Sequence, residues 1–528
     1  MPSPSKRALR AAFAVVVAVS AVTLAYSFAS TATGKPEDVA ERVPTAESSN
    51  ATNGTTDASA STVTTDTTDN ATAARNATTN VTVPESDVVA GSLAGKEVTV
   101  VATQGFYVSD ERAEILAVTH DGSVVYFDND YRVYFDVDPV EGKRYTVEYV
   151  AAKHFNGTTC EAVGTQRCTR NVVVRANLTT GQRRTVYAKL TPRIYSARWH
   201  DVDRLDDHHL VVADIVNDRV YTVDTRTDEI TWQWNASEHY SRDAGGKPGD
   251  WTHVNDVEVL DDGRIMVSLR NMDQVVFLEP GEGIQDDWTL GTDDDHSILF
   301  EQHNPDYIPP ENGGPSVLVA DSENNRIVEY HRTNGTWTRT WTWRDAKLQW
   351  PRDADRLPNG DTLLVDTHGD RVLEVGPTDR VVWSLSVGMP YDVERLGTGD
   401  ESTGGPVASR RLAAWRNATL DAGETTANGT TAARNGTAGP GRATGSLPDR
   451  LDRTAAGFWL ALKTLAPGVV VNGLLYVSPQ WVHFSDLGFA FVLVVTALAW
   501  VAAEFYWSSY SIRGFGRWMF RRVRTARR

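Results

Sequence analysis

The chain has 528 residues, 41% of them hydrophobic, with 52 Lys and Arg against 69 Asp and Glu, a formal net charge of −17. That length allows several domains, and the acidic balance excludes a nucleic-acid binder, which needs a basic face. Only nine of the basic residues are lysine, an acidic and lysine-poor surface that fits an organism living in high salt.

In chain order, residues 1–10 form a basic end that carries Lys6, Arg7 and Arg10. Residues 11–30 follow as an apolar run long enough to span a membrane, or to act as a cleaved signal peptide, since SFASTA puts small residues near its end. Residues 31–88 are Thr-, Ala-, Asn- and Asp-rich with almost no large apolar side chain, so they cannot bury a core and read as a tether. A second stretch of this composition covers 406–450. Twelve Asn-x-Ser/Thr sequons, from Asn50 to Asn435, lie in the tethers and in expected turns, which suggests an exported, glycosylated stalk.

Between the tethers, residues 89–405 are organised by a recurring unit. Four heads align as His200-Asp-Val-Asp-Arg-Leu, Asn255-Asp-Val-Glu-Val-Leu, His303-Asn-Pro-Asp-Tyr-Ile and Arg352-Asp-Ala-Asp-Arg-Leu. Each is followed by a β-branched run (LVVAD, IMVSL, VLVAD, TLLVD) and by a third segment opening at Asp218, Asp273, Asn325 or Asp370. Trp-containing strands close the units, and a further head stands at Tyr391-Asp-Val-Glu-Arg-Leu. Short strands separated by Asp/Asn/Gly turns, repeating every 39 to 55 residues with no helical period between them, predict an all-β, six-bladed β-propeller with degenerate upstream units around Ala113 and Arg144. Cys160 and Cys168 close a short loop and are expected to form a disulfide on the exported side.

Beyond the second tether, 451–484 is apolar but contains Lys463 and Pro467, and reads as an interfacial or re-entrant segment. Residues 485–507 read as a transmembrane helix, and 508–528 as a cytoplasmic tail with seven arginines. The positive-inside rule then puts both ends in the cytoplasm and the propeller outside.

The blade heads are where chemistry is expected, because equivalent positions of a propeller converge on one rim of its channel. These positions are His200, Asn255, His303, Arg352 and Tyr391; His368 sits near the same rim. His253, two residues before Asn255, is expected on the same strand face, and Arg270 ends the returning strand. Imidazole, amide and guanidinium with no carboxylate of their own describe an anion-binding cluster. Other histidines, among them His154, His208, His209, His239, His331 and His483, read as structural or interfacial, and Asp293-Asp-Asp295 as solvated surface.

Asp250-Trp-Thr-His253-Val-Asn255-Asp256, then Arg270 and Gln302-His303, with His200 at the preceding head, resemble the arylsulfate sulfotransferase family over roughly 100–400. In that family an exported six-bladed propeller moves a sulfuryl group between phenols through a sulfohistidine. The resemblance implies His303 as nucleophile and His200 as acid/base, with His253 and Arg270 also catalytic. Asn255 would help hold the sulfuryl oxygens; Arg352 and Tyr391, by their head positions, and His368, which reads equally as a structural rim residue, are expected to bind substrate. An aryl sulfate and a phenol would be the small-molecule partners, with no cofactor and no metal. Two departures are Asn271, where the well-studied type has a histidine, and short loops above the channel. A metal-dependent propeller enzyme using the channel histidines and a non-catalytic extracellular binding or sensor propeller are the alternatives. Natural donor, acceptor and oligomeric state are not encoded legibly.

Overall fold

The computed structural model describes residues 5–33, 93, 95–105, 113–417, 463, 468–479 and 482–507. Most of the two sequence-assigned tethers and the arginine tail lie outside them. The described chain divides into two units, one built from its two ends and one holding the propeller.

The propeller has six sheets, each of four strands apart from a fifth short strand in one of them. Its innermost strands, taken in chain order as blades 1 to 6, are Val133–Pro139, Val202–Arg204, Val254–Val259, His303–Ile308, Pro351–Arg356 and Pro390–Arg395. Blade 6 is composite. Its inner strand comes from the C-terminal side and pairs with Val98–Thr103, which is followed outward by Ile115–Thr119 and Val124–Asp128. The upstream unit around Ala113 is therefore the outer part of the last blade and not a blade of its own. Apolar residues between blades form the core: Val211, Ala213 and Val220 of blade 2 pack with Val257, Val267 and Val276 of blade 3, all fully buried. Each such valine contributes about 1.5–3 kcal/mol by leaving water.

The acidic dyads of the repeat turn out to be staples between blades. A carboxylate oxygen on one inner strand accepts a backbone N–H from the next. Asp136 takes Val202 at 3.2 Å, Asp203 takes Val259 at 2.5 Å, Glu258 takes Tyr307 at 2.8 Å, Asp353 takes Val393 at 3.1 Å and Asp392 takes Val137 at 2.7 Å. Asp201 does the same for Val257. Between blades 4 and 5 a serine relays: the Arg356 N–H donates to Ser402 Oγ, and that hydroxyl donates to Asp306. Inner strands can run side by side around the channel without hydrogen-bonding as a sheet because these side chains satisfy the N–H groups that face the next blade.

A second staple sets the blade heads. Asp218, Asp273, Asn325 and Asp370 each adopt φ of 50–52°, a left-handed conformation that Asn and Asp tolerate best among non-glycine residues. Their side chains accept the backbone N–H of Thr252, Glu301, Trp350 and Met389 at 2.8–3.0 Å. Each bond pins the residue that leads into the next inner strand. β-Bulges at Val254/Asp256, His303/Asp306 and Pro351/Asp353 then re-aim the head side chains.

Residues 406–411, which composition assigns to the second tether, are packed under the propeller: Arg356 donates to Pro406 O at 2.8 Å and Arg411 to Gly360 O at 2.9 Å. The helix Gly468–Tyr476, inside the stretch read as interfacial, lies on the opposite rim, where Asn472 donates to Glu323 at 2.7 Å. Cys160 and Cys168 are joined as a disulfide at the end of the hairpin Thr146–Asn156/Arg167–Asn177.

In the terminal unit, the helices Lys6–Thr33 and Phe484–Trp507 are each long and apolar enough to cross a membrane. They run antiparallel, with Arg10 on Glu504 at 2.5 Å near one end and Ser27 on Asp486 at 3.0 Å near the other.

Candidate active site

The head residues do converge. His200 stacks on His253 with ring centroids 5.1 Å apart and lies 5.9 Å from the Tyr391 ring; His303 meets Tyr391 edge-on at 6.1 Å. Phe135 of blade 1 fills the space between His200 and Tyr391, at 4.4 and 4.7 Å. The guanidinium of Arg352 lies 5.3 Å from the Tyr391 ring and 3.7 Å from Trp350.

His303 is fully buried, and its surroundings fix its tautomer. Nδ1 lies 2.8 Å from Ser322 Oγ and 3.1 Å from the Glu301 carbonyl. A carbonyl only accepts, and the Ser322 hydroxyl already donates to Pro351 O at 2.7 Å. The proton is therefore on Nδ1. Nε2 carries the lone pair, and there it accepts from Arg352, which can only donate. Burial pushes the His303 pKa well below the ordinary value, and Arg352, Arg270 and the two other histidines push the same way. His200 is lowered well below normal by burial, then by His253, Arg198, Arg352 and Arg270. Both rings are neutral at pH 7. Burial also lowers Arg352, to about 10.

Two expectations need correction. His253 does not share a strand face with Asn255: it precedes the strand at φ 48°, and the bulge after Val254 breaks the alternation. The cluster is also not free of carboxylates. Asp250 Oδ1 accepts from His253 Nδ1 at 2.7 Å, and Arg270 is paired with Glu301. Burial alone would raise the Asp250 carboxyl, yet the His253 bond and the nearby Arg270 charge bring it down to about 2. His253 is lowered by burial and Arg270, with Asp250 opposing, so of the three rings it has the strongest hold on a second proton.

Asn255 spans two blades, donating to Gln302 O at 3.0 Å, while its buried Oδ1 has no partner among the described residues. Asn271, the departure from the family pattern, accepts from Arg270 at 2.8 Å and donates to Asp250 O at 2.7 Å, tying the arginine to the loop that holds His253. His368 stands at the rim, 4.5 Å from Trp350 and 6.4 Å from Tyr476. The rim helix reaches the site through a relay: Asn472 holds Glu323, Glu323 accepts from Trp350 Nε1 at 3.0 Å, and Trp350 carries Arg352.

A cavity of about 140 Å³ beside the site is lined by Arg132, His154, Arg167, Tyr195, Arg198 and Tyr476, among others. Arg198 connects the two, with its guanidinium 5.4 Å from the Phe135 ring. His154, read from sequence as structural, lines this cavity; burial and the three arginines lower its pKa to about 4. Sequence reasoning missed Arg198, Ser322 and Glu301, which stand at no repeat head. Asp250 was in view, three residues before His253, a short-range pairing that could have been tested. Among the described residues, the sets of three His, Cys, Asp or Glu ligand atoms within 4.8 Å of one another are Asp273/Asp294/His296 and Asp306/Asp353/Asp355, so the channel histidines form no zinc-type set.

Fold and site together define a six-bladed propeller with a neutral, buried imidazole flanked by guanidinium groups at one channel mouth. Residues 208–388 match the model of the family described as Arylsulfotransferase (ASST), and the match and the six-bladed propeller fit that family. The matched stretch holds His253, Asn255, Arg270, His303, Arg352 and His368 and stops short of His200 and Tyr391, a narrower span than the sequence resemblance suggests. No curated protein matches the chain. Similar solved structures include a protein of unknown function from Bacteroides caccae, at 11% identity and TM-score 0.39, covering 57% of this chain and 100% of that one. A putative 6-phosphogluconolactonase from Bacteroides uniformis ATCC 8492 has 11% identity and TM-score 0.39, covering 57% and 99%. The Pseudomonas aeruginosa periplasmic gluconolactonase has 14% identity and TM-score 0.38, covering 58% and 100%. At this identity and TM-score they say nothing about chemistry.

Proposed function

We propose that the protein is a membrane-anchored extracellular arylsulfate sulfotransferase that works by a ping-pong mechanism through a sulfohistidine on His303. The observation that carries this reading is the fixed tautomer of His303: Nδ1–H is held by Ser322 and the Glu301 carbonyl, leaving the Nε2 lone pair against Arg352. A neutral imidazole presented this way is a competent nucleophile.

The donor is a sulfate monoanion, drawn through the arginine-lined cavity that Tyr195 and Tyr476 also line and in which its aryl ring would sit. Its sulfuryl oxygens compete for Arg352 and release Nε2. Nε2 attacks sulfur, the S–O(aryl) bond breaks, and the phenolate departs with the bonding pair. His253 is placed to return a proton to it. The imidazole becomes positive as the N–S bond forms, which strengthens its Nδ1–H bonds. Arg270 and Arg352 stabilise the sulfuryl oxygens, the dominant requirement in a loose, in-line transfer. In the second half the acceptor phenol loses its proton to neutral His200, attacks sulfur and frees His303, and His200 hands that proton on to the neighbouring His253, which restores both to their starting states.

An extracellular location is supported by the Cys160–Cys168 disulfide, which persists in oxidising compartments. The antiparallel pairing sets Arg10 beside Glu504, so the helix ends that adjoin the two basic segments lie on one side, and the positive-inside rule assigns that side to the cytoplasm. The test is to incubate with a chromogenic aryl sulfate without acceptor. A mass gain of about 80 Da, one sulfuryl group in a covalent intermediate, should fall on the His303 peptide and vanish on adding phenol. Label elsewhere, or none alongside turnover, overturns the proposal.

A further inference from the structure

Below the site the channel is lined by carboxylates from all six inner strands. Stapling accounts for one oxygen of many of them and leaves others over. Asp355 is 2% exposed, staples nothing, and its Oδ2 accepts no hydrogen bond among the described residues; the same holds for Asp256 Oδ2 and Glu394 Oε2. Ligand atoms of Asp306, Asp353 and Asp355 lie within 4.8 Å of one another, with each residue 2% exposed. Asp306 is held by Ser402 at 2.6 Å and Asp353 by the Val393 N–H at 3.1 Å; their other side-chain partners are carboxyls, Asp355 and Asp392, pairs that hold together only by sharing a proton and that a cation would replace. Among the described residues no arginine or lysine forms an ion pair with any of the three, and Arg356, already paired with Glu329, is the cation whose charge reaches Asp306. The charged groups near Asp355 are further carboxylates, Asp353, Glu394, Asp306 and Asp392.

We propose that the channel binds a hard divalent cation, calcium by preference, on Asp306, Asp353 and Asp355, and that this ion draws blades 4 and 5 together under the active site. Oxygen donors alone, with no histidine or cysteine among them, suit a hard cation rather than zinc. Calcium is preferred to magnesium because its larger and more flexible oxygen shell suits a buried cluster with further carboxylates nearby, Glu394 and Asp392 among them, whereas magnesium keeps its own water. The ion would be structural. The sulfuryl-transfer residues lie at the heads, on the other side of the staples, and the transfer does not need it.

The full chain in detergent micelles, dialysed against EGTA and then desalted, provides the test through elemental analysis and thermal unfolding. One calcium per chain should rebind. Tm should rise by about 10 °C at a free concentration near a thousand times Kd, and less with magnesium. Asp355→Asn should lose the ion and melt above the stripped wild type, because it removes one of the repelling carboxylates. Asp294→Asn, at the more exposed Asp273/Asp294/His296 set, should leave both readouts unchanged. If Asp355→Asn does not fold, Asp306→Asn decides by the same measures. An unchanged wild-type Tm with no stoichiometric ion means that the carboxylates are held as protonated acids, and overturns the proposal. So does an Asp355→Asn chain that still binds one calcium.

Discussion

Replacing Ser322 by alanine tests the tautomer argument directly, since Ser322 touches His303 at the nitrogen that does not attack. The change removes the 2.8 Å acceptor of Nδ1–H and the 2.7 Å donor to Pro351 O. Losing one partner of a buried hydrogen bond costs about 1–3 kcal/mol, and each 1.4 kcal/mol is tenfold in rate. The Glu301 carbonyl at 3.1 Å still holds the proton in place, which limits the ground-state loss. In the transition state the ring gains positive charge and the missing bond is charge-assisted, roughly twice as strong. We expect the first-turnover rate of phenolate release to fall about 10- to 100-fold by stopped flow, with substrate affinity little changed. The unpaired Pro351 carbonyl should lower Tm by a few degrees at most. A first-turnover rate within threefold of wild type would refute the assignment of the proton to Nδ1.

Arg270→Lys should lower kcat/KM on the order of a hundredfold, because an ammonium cannot hold both Asn271 and Glu301 while facing an oxyanion; a loss under threefold in steady-state assays counts against its role. For pH, His303 and His200 are required neutral and have depressed pKa values, while His253 must carry a proton that burial and Arg270 disfavour. Donor kcat/KM should therefore hold level or rise as pH falls to about 6.5 and decline only below it. An acid limb centred at or above 6.5 contradicts this. The same groups make the unfolded chain bind more protons below about 6.5, so their contribution to stability should shrink as pH drops through that value, measurable by denaturant titration. In topology, protease added to intact cells should cut around Thr64 and Thr430, while a tag after Arg528 stays protected until lysis; digestion of the tag in intact cells would invert the assignment.

The repeat made the propeller and its heads legible because equivalent strands must solve equivalent packing problems, and the solutions recur as aligned residues. The His200, His303, Arg352 and Tyr391 convergence followed from that equivalence alone. Groups outside the period stayed hidden. Ser322 and Glu301 reach His303 from a neighbouring turn, and Arg198 enters from blade 1's side with no repeat partner to flag it. The acidic dyads were visible but unexplained, since a carboxylate that caps a backbone N–H some 50 residues away looks in sequence like any surface acid. His253 misled for a local reason: a positive φ and a bulge defeat the two-residue strand period. The rim helix was legible only as an apolar stretch: Asn472 and Leu475 are buried while Val469, Val470 and Leu474 stay exposed, a division that composition does not mark.

The composite sixth blade bears on how the molecule comes to exist. Val98–Thr103 is made early and must wait, with one side unpaired, until Pro390–Arg395 is synthesised nearly three hundred residues later. During that wait it is an open β-edge, the kind that recruits stray strands, and the long loop it closes makes the final step slow. Tyr391 travels on the closing strand, so the ring and the nucleophile's pocket are completed in the same event. A chain stalled or clipped before Pro390 would hold five blades, a frayed edge and no finished pocket. If the proposed function holds, an unfinished chain would lack the pocket that receives a sulfate ester, so closure of the ring and onset of activity would coincide.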